Sequence, residues 1–377
     1  MRVALVCDWF LPRQGGIELH LRDLALALRR VGVDARVVTT TRGPDDVDGV
    51  PVHRVAARLA PGAGFAFTPA GIARLRDVIR AERFDVVHAH ASVVSPVAYA
   101  GALAGAREGS ASLITFHSML HRSSFLLGAS EALLGWSRGR ILLSAVSSVV
   151  AAQAARWIPD AAVCVLPNGI DVPWWRVAAT PRRPGGEIVF VSAMRLSRKK
   201  RPERLVRAFA GTVRFVAGTP PMRLVIAGDG PERRALRRLA DSLGVGPMLE
   251  LPGQLQRDEL RGLYARSHAF VLPSERESFG IAALEARAAG LPVIAMIAGG
   301  TRDFIVRGMD GLLARDERDL VRAMSRMAIE APFREYVSAH NRAVPPAYDW
   351  PEVAALHLRY YGEAAALRDC TPRANQP

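Results

Sequence analysis

Arg2-Val-Ala-Leu-Val-Cys7 is an unbroken apolar run after its first residue. Asp8-Trp-Phe-Leu-Pro12 and Gly15-Gly16 follow as a loop, and Glu18 to Arg30 carries Leu21, Leu24, Ala25 and Leu28 at helical spacing. A run that is apolar at successive positions suits a strand buried on both faces, as in a parallel sheet between helix layers. The spacing after it predicts a helix with one buried stripe. Gly32 ends that helix, and Ala35-Arg-Val-Val-Thr39 is the next strand. The same grammar recurs with a helix near Gly71 to Glu82, strand Asp85-Val-Val-His88, a helix near Pro96 to Ala106 and strand Ser112-Leu-Ile-Thr115. It restarts at Glu187-Ile-Val-Phe-Val191, helix Pro202 to Phe215, strand Met222 to Ala227, and strands Ala269 to Leu272 and Pro292 to Ala295. Strand-helix alternation predicts α/β architecture with doubly wound parallel sheets. The 377 residues exceed what one compact core usually holds, so two domains are expected. The segment 171–186, with Pro173, Pro181, Pro184 and Gly185-Gly186, reads as the linker. The domains are therefore placed at 1–170 and 187–347.

Composition narrows the class. The net charge is +14, and the cations are arginines apart from Lys199 and Lys200. Residues 1–175 hold 18 basic and 14 acidic residues and residues 176–377 hold 32 and 22, so the excess lies in the second half. A basic surface attracts anionic substrates or membranes. No nucleic-acid motif or basic-aromatic interleaving occurs, so nucleic acid is not an expected partner. Cys7, Cys164 and Cys370 are far apart and odd in number, which supports neither a disulfide framework nor a metal site; Cys7 and Cys164 read as core thiols. No stretch of about 18 apolar residues occurs, so no membrane span is expected. A reducing cytoplasm fits the cysteine usage and is the expected location. Arg58 to Phe67 and Leu120 to Trp136 mix apolar and basic residues and leave peripheral contact with the inner face of an anionic membrane open, against ordinary core packing.

Several residue groups fall just after predicted strands, where open parallel sheets bind ligands. Gly15-Gly16 is either an anion-accepting helix start or a tight turn. His88 and His90 share one face of a strand; with no third ligand in view, structural roles are favoured over a metal pair. His117, at a strand end, suits a hydrogen bond to a substrate hydroxyl. Met194-Arg195-Leu-Ser-Arg198-Lys199-Lys200-Arg201-Pro202 places five cations in a strand-to-helix loop, where a fork of guanidinium donors and an ammonium can neutralise a leaving diphosphate. Gly228-Asp-Gly-Pro231 is a turn suited to close approach. In Pro273-Ser-Glu-Arg-Glu277-Ser278-Phe279-Gly280-Ile-Ala-Ala-Leu-Glu285-Ala286, Glu277 precedes a helix and Glu285 lies inside it. A carboxylate among Ala and Leu needs a partner if buried, and a ribose diol offers two donors; an exposed helical Glu is the alternative.

Taken together, Gly15-Gly16, His117, Pro167-Asn168-Gly169-Ile170-Asp171, Arg195 with Lys200, Gly228 to Pro231, Glu277 with Glu285, and Gly299-Gly300 resemble the family-4 retaining glycosyltransferases over about residues 1 to 362. The resemblance implies the GT-B fold, two Rossmann-like domains facing across a cleft. The first would be the acceptor side and the second the nucleotide-sugar donor side, with a helix at 348–365 crossing back to the first and a tail at 366–377. It implies that Arg195 and Lys200 hold the donor diphosphate. Glu277 would lie by the sugar, with Ser278, Phe279, Gly280 and Gly228 lining the donor site, and Glu285 would bind the ribose. Gly16 would approach the diphosphate or an acceptor phosphate, and His117 the reacting centre. The implied activity is metal-independent, retaining transfer of a hexose or N-acetylhexosamine from a UDP- or GDP-sugar to a hydroxyl acceptor, an inositol lipid or a cell-envelope glycan. No cofactor beyond that co-substrate is implied. A nucleotide-sugar 2-epimerase of the same fold and a non-catalytic sugar-nucleotide-binding module are the alternatives. Two departures stand out: Arg201-Pro202 follows the lysine where the family often has Gly, and Asp303 stands where it often has Glu. The N-terminal motifs, with Val87-His-Ala-His-Ala91, look most like the phosphatidylinositol N-acetylglucosaminyltransferase branch.

Overall fold

The computed structural model describes residues 1–13, 15–55, 69–120, 141–158, 162–176, 186–217 and 220–369. Arg58 to Phe67 lies outside them, as does Leu120 to Trp136 apart from Leu120, which is buried. The chain forms two compact units, Met1–Gly169 with Trp350–Pro377, and Ile170–Asp349. No helix among the described residues is long and apolar enough to cross a membrane.

The first unit holds β1 (Arg2–Cys7), β2 (Asp34–Thr39), β3 (Asp46–Val47), β4 (Val50–Arg54), β5 (Val86–Ala91), β6 (Ala111–Phe116), β7 (Ile141–Ala145) and β8 (Val163–Val165). They lie in the order β3-β4-β2-β1-β5-β6-β7-β8, parallel except for the β3–β4 hairpin. Residues Val3 to Val6 have no exposed surface, as their apolar run requires. The order reverses between β1 and β5, where the loops after the two strands must part. Asp8, one residue past β1, reaches across this point. Its carboxylate accepts from the amides of Val97 (3.1 Å) and Ala98 (3.3 Å), at the start of helix Pro96–Arg107. Those amides are donors the helix cannot satisfy itself. That helix lies close on the sheet: a Cβ on Gly101 would sit 2.7 Å from Val6, and one on Gly105 2.6 Å from Val87.

The C-terminal helix Trp350–Asp369 belongs to this unit, with Trp350 and Tyr361 in the same apolar core as β1 and helix Gly16–Arg30. It extends past residue 365, so 366–369 are helical rather than tail; 370–377 lie outside the described residues. A Cβ on Gly169 would come 2.7 Å from the Trp350 ring, so the chain leaves the unit against the residue by which it returns. Cys7 is buried, but Cys164 is only partly so, which corrects the core-thiol reading for the latter.

The second unit holds β9 (Ile188–Ala193), β10 (Met222–Ala227), β11 (Leu249–Gly253), β12 (Ala269–Leu272), β13 (Val293–Met296) and β14 (Gly311–Ala314). All pair in parallel, in the order β11-β10-β9-β12-β13-β14. Its core joins Phe190, Leu224 and Ile226 of the sheet to Leu205 and Phe209 of helix Pro202–Phe215, the apolar stripe expected from the sequence. The reversal here lies between β9 and β12.

Among the described residues of the first unit, five histidines are buried: His20, His88, His90, His117 and His357. The hydrogen bonds of His88 have one consistent direction. Ser144 Oγ donates to the Ile114 carbonyl (3.2 Å), so it accepts from Thr115 Oγ1 (2.6 Å). Thr115 then accepts from His88 Nε2 (2.7 Å), and His88 Nδ1 accepts from the Tyr361 hydroxyl (3.0 Å). Burial holds all five imidazoles neutral, with neighbouring histidines adding to the effect in His20, His88, His90 and His117; His117 is lowered to about 3 and His357 to about 4. Below pH 6.5 the unfolded chain takes up protons that these folded side chains refuse, so stability present above pH 6.5 is lost as pH falls toward 4. Asp8 acts in the opposite sense, because burial raises it to about 6 against the pull of its amide donors, but it is one group against five. Each histidine contributes up to about 1.4 kcal/mol per pH unit. The melting temperature should therefore be level from pH 7 to 8 and fall steeply below pH 6. A scan that stays level down to pH 4.5 would contradict the neutral cluster.

Candidate active site

In the second unit the loops after β9 and β12 face each other across the strand reversal. The β9 loop is shaped by a glycine turn. Leu196 N donates to Asp229 O (2.9 Å), Glu232 N to Leu196 O (3.1 Å), and Met194 N to Ala227 O (2.9 Å). Gly228 and Gly230 have φ of +129° and +155°, and a Cβ on either would strike the Met194 or Leu196 carbonyl. The glycines of Gly228-Asp-Gly-Pro231 are therefore required by this close approach as much as by any ligand. Helix Pro202–Phe215 starts beyond the 3-10 turn Arg198–Lys200, so the cations fall at the end of β9.

The two loops are laced together. Arg204 Nη1 bonds Glu275 Oε1 (2.7 Å), Ser274 Oγ donates to the Lys199 carbonyl (3.2 Å), and Lys200 Nζ donates to Glu277 Oε2 (2.7 Å). Glu277 is buried and Lys200 about a third exposed. Gly300 N donates to the Glu277 carbonyl (2.8 Å), and a Cβ on Gly299 would come within 3.2 Å of Glu277, a tight contact that favours glycine at 299. Ser278 and Phe279 follow, Phe279 being buried against Phe304 and Tyr348. Gly280 opens helix Ile281–Ala288 with a φ of +96°, and a Cβ there would come 2.6 Å from Thr301. Glu285 is buried inside that helix, with Tyr264 close enough to feel its charge. The exposed-helix alternative for Glu285 is thereby set aside. Arg195 is exposed, and its side chain forms no ion pair or hydrogen bond with any described residue.

The structure thus gathers Arg195, Lys200, Gly228, Glu277, Ser278, Phe279, Gly280 and Glu285 in one unit, while Gly16 and His117 belong to the other. Gly16 begins helix Gly16–Arg30, and a Cβ on it would meet open space. On Gly15 a Cβ would collide with the carboxylate of Glu18, which folds back over the helix start. His117 continues β6, its amide donating to Ala91 O (2.8 Å), and its Nε2 lies 2.9 Å from His90 Nδ1. His88 and His90 do share a face, with ring centroids 4.0 Å apart. His20, His357 and Asp8 carry no sequence signal of their roles, because each meets its partners only through the fold. Among the described residues, no group of three or more His, Cys, Asp or Glu is arranged to hold a metal ion.

Arg201 explains one departure from the family pattern. Its φ of +56° and ψ of 42° place it in the left-handed region, where glycine is comfortable and a side chain is strained by about 1–2 kcal/mol. Its exposed pair with Glu203 (3.3 Å) offsets little of this. Arg201→Gly should stabilise the protein by about 0.5–1 kcal/mol, after allowing for glycine's larger unfolded-state freedom. A urea titration checks this; a midpoint that fell on substitution would count against it.

Residues 14–173 match the model of Glycosyltransferase Family 4, and residues 176–344 that of Glycosyl transferases group 1. The chain is 31% identical to a GDP-mannose-dependent alpha-mannosyltransferase of Mycolicibacterium smegmatis, over 96% of this chain and 97% of that protein. It is 28% identical to a D-inositol 3-phosphate glycosyltransferase of Stackebrandtia nassauensis, over 95% and 89%. It is 24% identical to the Phosphatidylinositol N-acetylglucosaminyltransferase gpi3 subunit of Schizosaccharomyces pombe, over 95% and 79%. In fold it resembles Anabaena Alr3699/HepE, solved with UDP and glucose, with a TM-score of 0.77 at 18% identity over 96% of this chain and 100% of that one. Sucrose-phosphate synthase from Thermosynechococcus elongatus gives a TM-score of 0.72 at 20% identity, over 97% and 99%. With its two parallel α/β units and these relatives, the chain is a glycosyltransferase of the GT-B fold and belongs to glycosyltransferase family 4.

Proposed function

We propose that this enzyme transfers a hexose or N-acetylhexosamine, with retention and without a metal ion, from a UDP- or GDP-sugar to a hydroxyl acceptor. The observation that carries the reading is the Lys200–Glu277 pair at the strand reversal, with Arg195 exposed in the same loop as Lys200 and Glu285 buried in the helix that follows Glu277. A diphosphate entering there exchanges the ammonium's carboxylate partner for phosphate oxygens. Arg195 adds a guanidinium fork, and Glu285 accepts from the two ribose hydroxyls. Glu277, released from full pairing, lies where the sugar hydroxyls need an acceptor. Gly16 and His117 serve the acceptor side and the reacting centre.

In the reaction, the acceptor oxygen bonds to the anomeric carbon on the face that the diphosphate leaves. The bond from that carbon to the diphosphate oxygen breaks, and the acceptor proton passes to the leaving phosphate. The products are the glycoside and the nucleoside diphosphate. Charge grows on the diphosphate as the bond breaks, so fixed cations stabilise the transition state more than the ground state. The relatives named above support a hexose donor, and two of them are named for inositol-containing acceptors. We therefore favour an inositol phosphate or inositol lipid acceptor over a cell-envelope glycan, with the reaction in the cytoplasm and at the inner membrane face when the acceptor is a lipid.

The first measurement is a thermal-shift screen against UDP-, GDP- and ADP-sugars, followed by transfer assays with the stabilising donor. Lys200→Ala should lower kcat by about 10²–10³. Glu285→Ala should weaken donor binding by about tenfold or more, the effect of losing a charged hydrogen bond worth about 1.5–3 kcal/mol. Transfer should survive EDTA, and the product should keep the donor's anomeric configuration by NMR. Near-normal kinetics in both variants, or complete loss in EDTA with recovery on adding Mg²⁺, would overturn the proposal.

A further inference from the structure

His90 plays no part in the reading above, yet its position ties it to His117. It projects from β5 beside β6, paired in register with Thr115, and its Nδ1 lies 2.9 Å from His117 Nε2. Two neutral imidazoles share such a contact in only one of two ways, since one nitrogen must bring the proton and the other the lone pair. Both rings are buried, and burial holds both neutral.

The remaining nitrogens decide between the two arrangements. His90 Nε2 is fully buried and has no hydrogen-bond partner among the described residues. If His117 donated, the proton of His90 would have to sit on that nitrogen, leaving a buried N–H with nothing to bond. If His90 donates from Nδ1, the orphan at Nε2 is a lone pair. Orphaned buried N–H groups are the rarer and costlier of the two. The second arrangement therefore prevails, and it places the proton of His117 on Nδ1. That nitrogen has no partner among the described residues and is not among the fully buried unpaired atoms.

We propose that His90 is a positioning residue that holds His117 in its Nδ1–H tautomer, so that His117 offers an N–H donor to a sugar oxygen at the reacting centre. A free histidine side chain favours the opposite tautomer, so the choice has to be imposed by a neighbour. The surroundings are consistent with that imposition. His20 also packs against His117, with ring centroids 5.7 Å apart, and is itself stacked on Trp350. His88 packs on His90 and is locked in its own tautomer by the chain from Tyr361 to Ile114. The catalytic half of this inference rests on the proposal that His117 meets the substrate; the tautomer itself does not.

The test separates the two. Long-range proton–nitrogen correlation on ¹⁵N-histidine-labelled protein at pH 7.5 reads the tautomer, and loss of one signal set in His117→Gln assigns it. Wild type should show the Nδ1–H pattern for His117. His90→Phe should convert it to the Nε2–H pattern, and His90→Asn, whose amide nitrogen can stand in for Nδ1–H, should keep it. In transfer assays His90→Phe should lower kcat by about tenfold or more while the donor KM stays within about twofold, and His90→Asn should recover most of the loss. An Nε2–H pattern for His117 in the wild-type protein overturns the inference even if His90→Phe fails to fold. Unchanged kcat in a folded His90→Phe, when His117→Gln is impaired, overturns its catalytic half. Full turnover in His117→Gln overturns instead the role given to His117 in the proposed function.

Discussion

The contact between Lys200 Nζ and Glu277 exists because the second sheet reverses its strand order between β9 and β12. From β9 the chain crosses to β10 on one side, and from β12 it crosses to β13 on the other. The loops after the two strands therefore part, and the space between them must be bridged by side chains. Arg204 with Glu275 and Ser274 with the Lys199 carbonyl hold the two loops in place, and the glycines at 228 and 230 let backbones approach where a Cβ could not fit. The site is thus a consequence of topology first and of charge second. An ammonium paired with one buried carboxylate is also poised for exchange, because a diphosphate offers more negative charge than the carboxylate it displaces.

The two units use their buried polar groups differently. In the second, charges meet in pairs, and Arg287 with Asp310 forms a buried example at 2.8 Å. In the first, part of the interior is filled by neutral histidines; hydroxyls of Tyr361 and Thr115 place the proton of His88, and the Val353 carbonyl that of His357. A layer of imidazoles can present donors and acceptors without carrying a charge into a low-dielectric interior, where an unpaired ion is costly. That keeps the helix Trp350–Asp369 seated through Tyr361 and Trp350 at neutral pH and makes the same unit sensitive to acid.

Much of this is legible in the chain. Strands Arg2–Cys7, Met222–Ala227 and Ala269–Leu272 and helix Pro202–Phe215 can be read to the residue, because each is an apolar run or stripe bounded by Gly, Pro or Asp. The β3–β4 hairpin is not, since Asp46-Val47 is too short and polar to carry a period. β8 is also hidden, because its three residues are too few to show a period. In the site, the residue types and their places after strands are visible, but their mutual contacts are not. Nothing local in the sequence shows that Lys200 and Glu277, 77 positions apart, form an ion pair. Nor does it show that Asp8 serves a helix start almost ninety residues away, or that His20 and His357 join His117. Arg201 shows the converse: a strained conformation hidden behind an ordinary-looking residue.

The most direct measurement is a crystal structure of the protein with a nucleoside diphosphate bound. The account predicts Lys200 Nζ and the Arg195 guanidinium within about 3 Å of diphosphate oxygens and Glu285 on the ribose hydroxyls. A diphosphate seated elsewhere, with Lys200 still bound only to Glu277 and Arg195 turned to solvent, would contradict it.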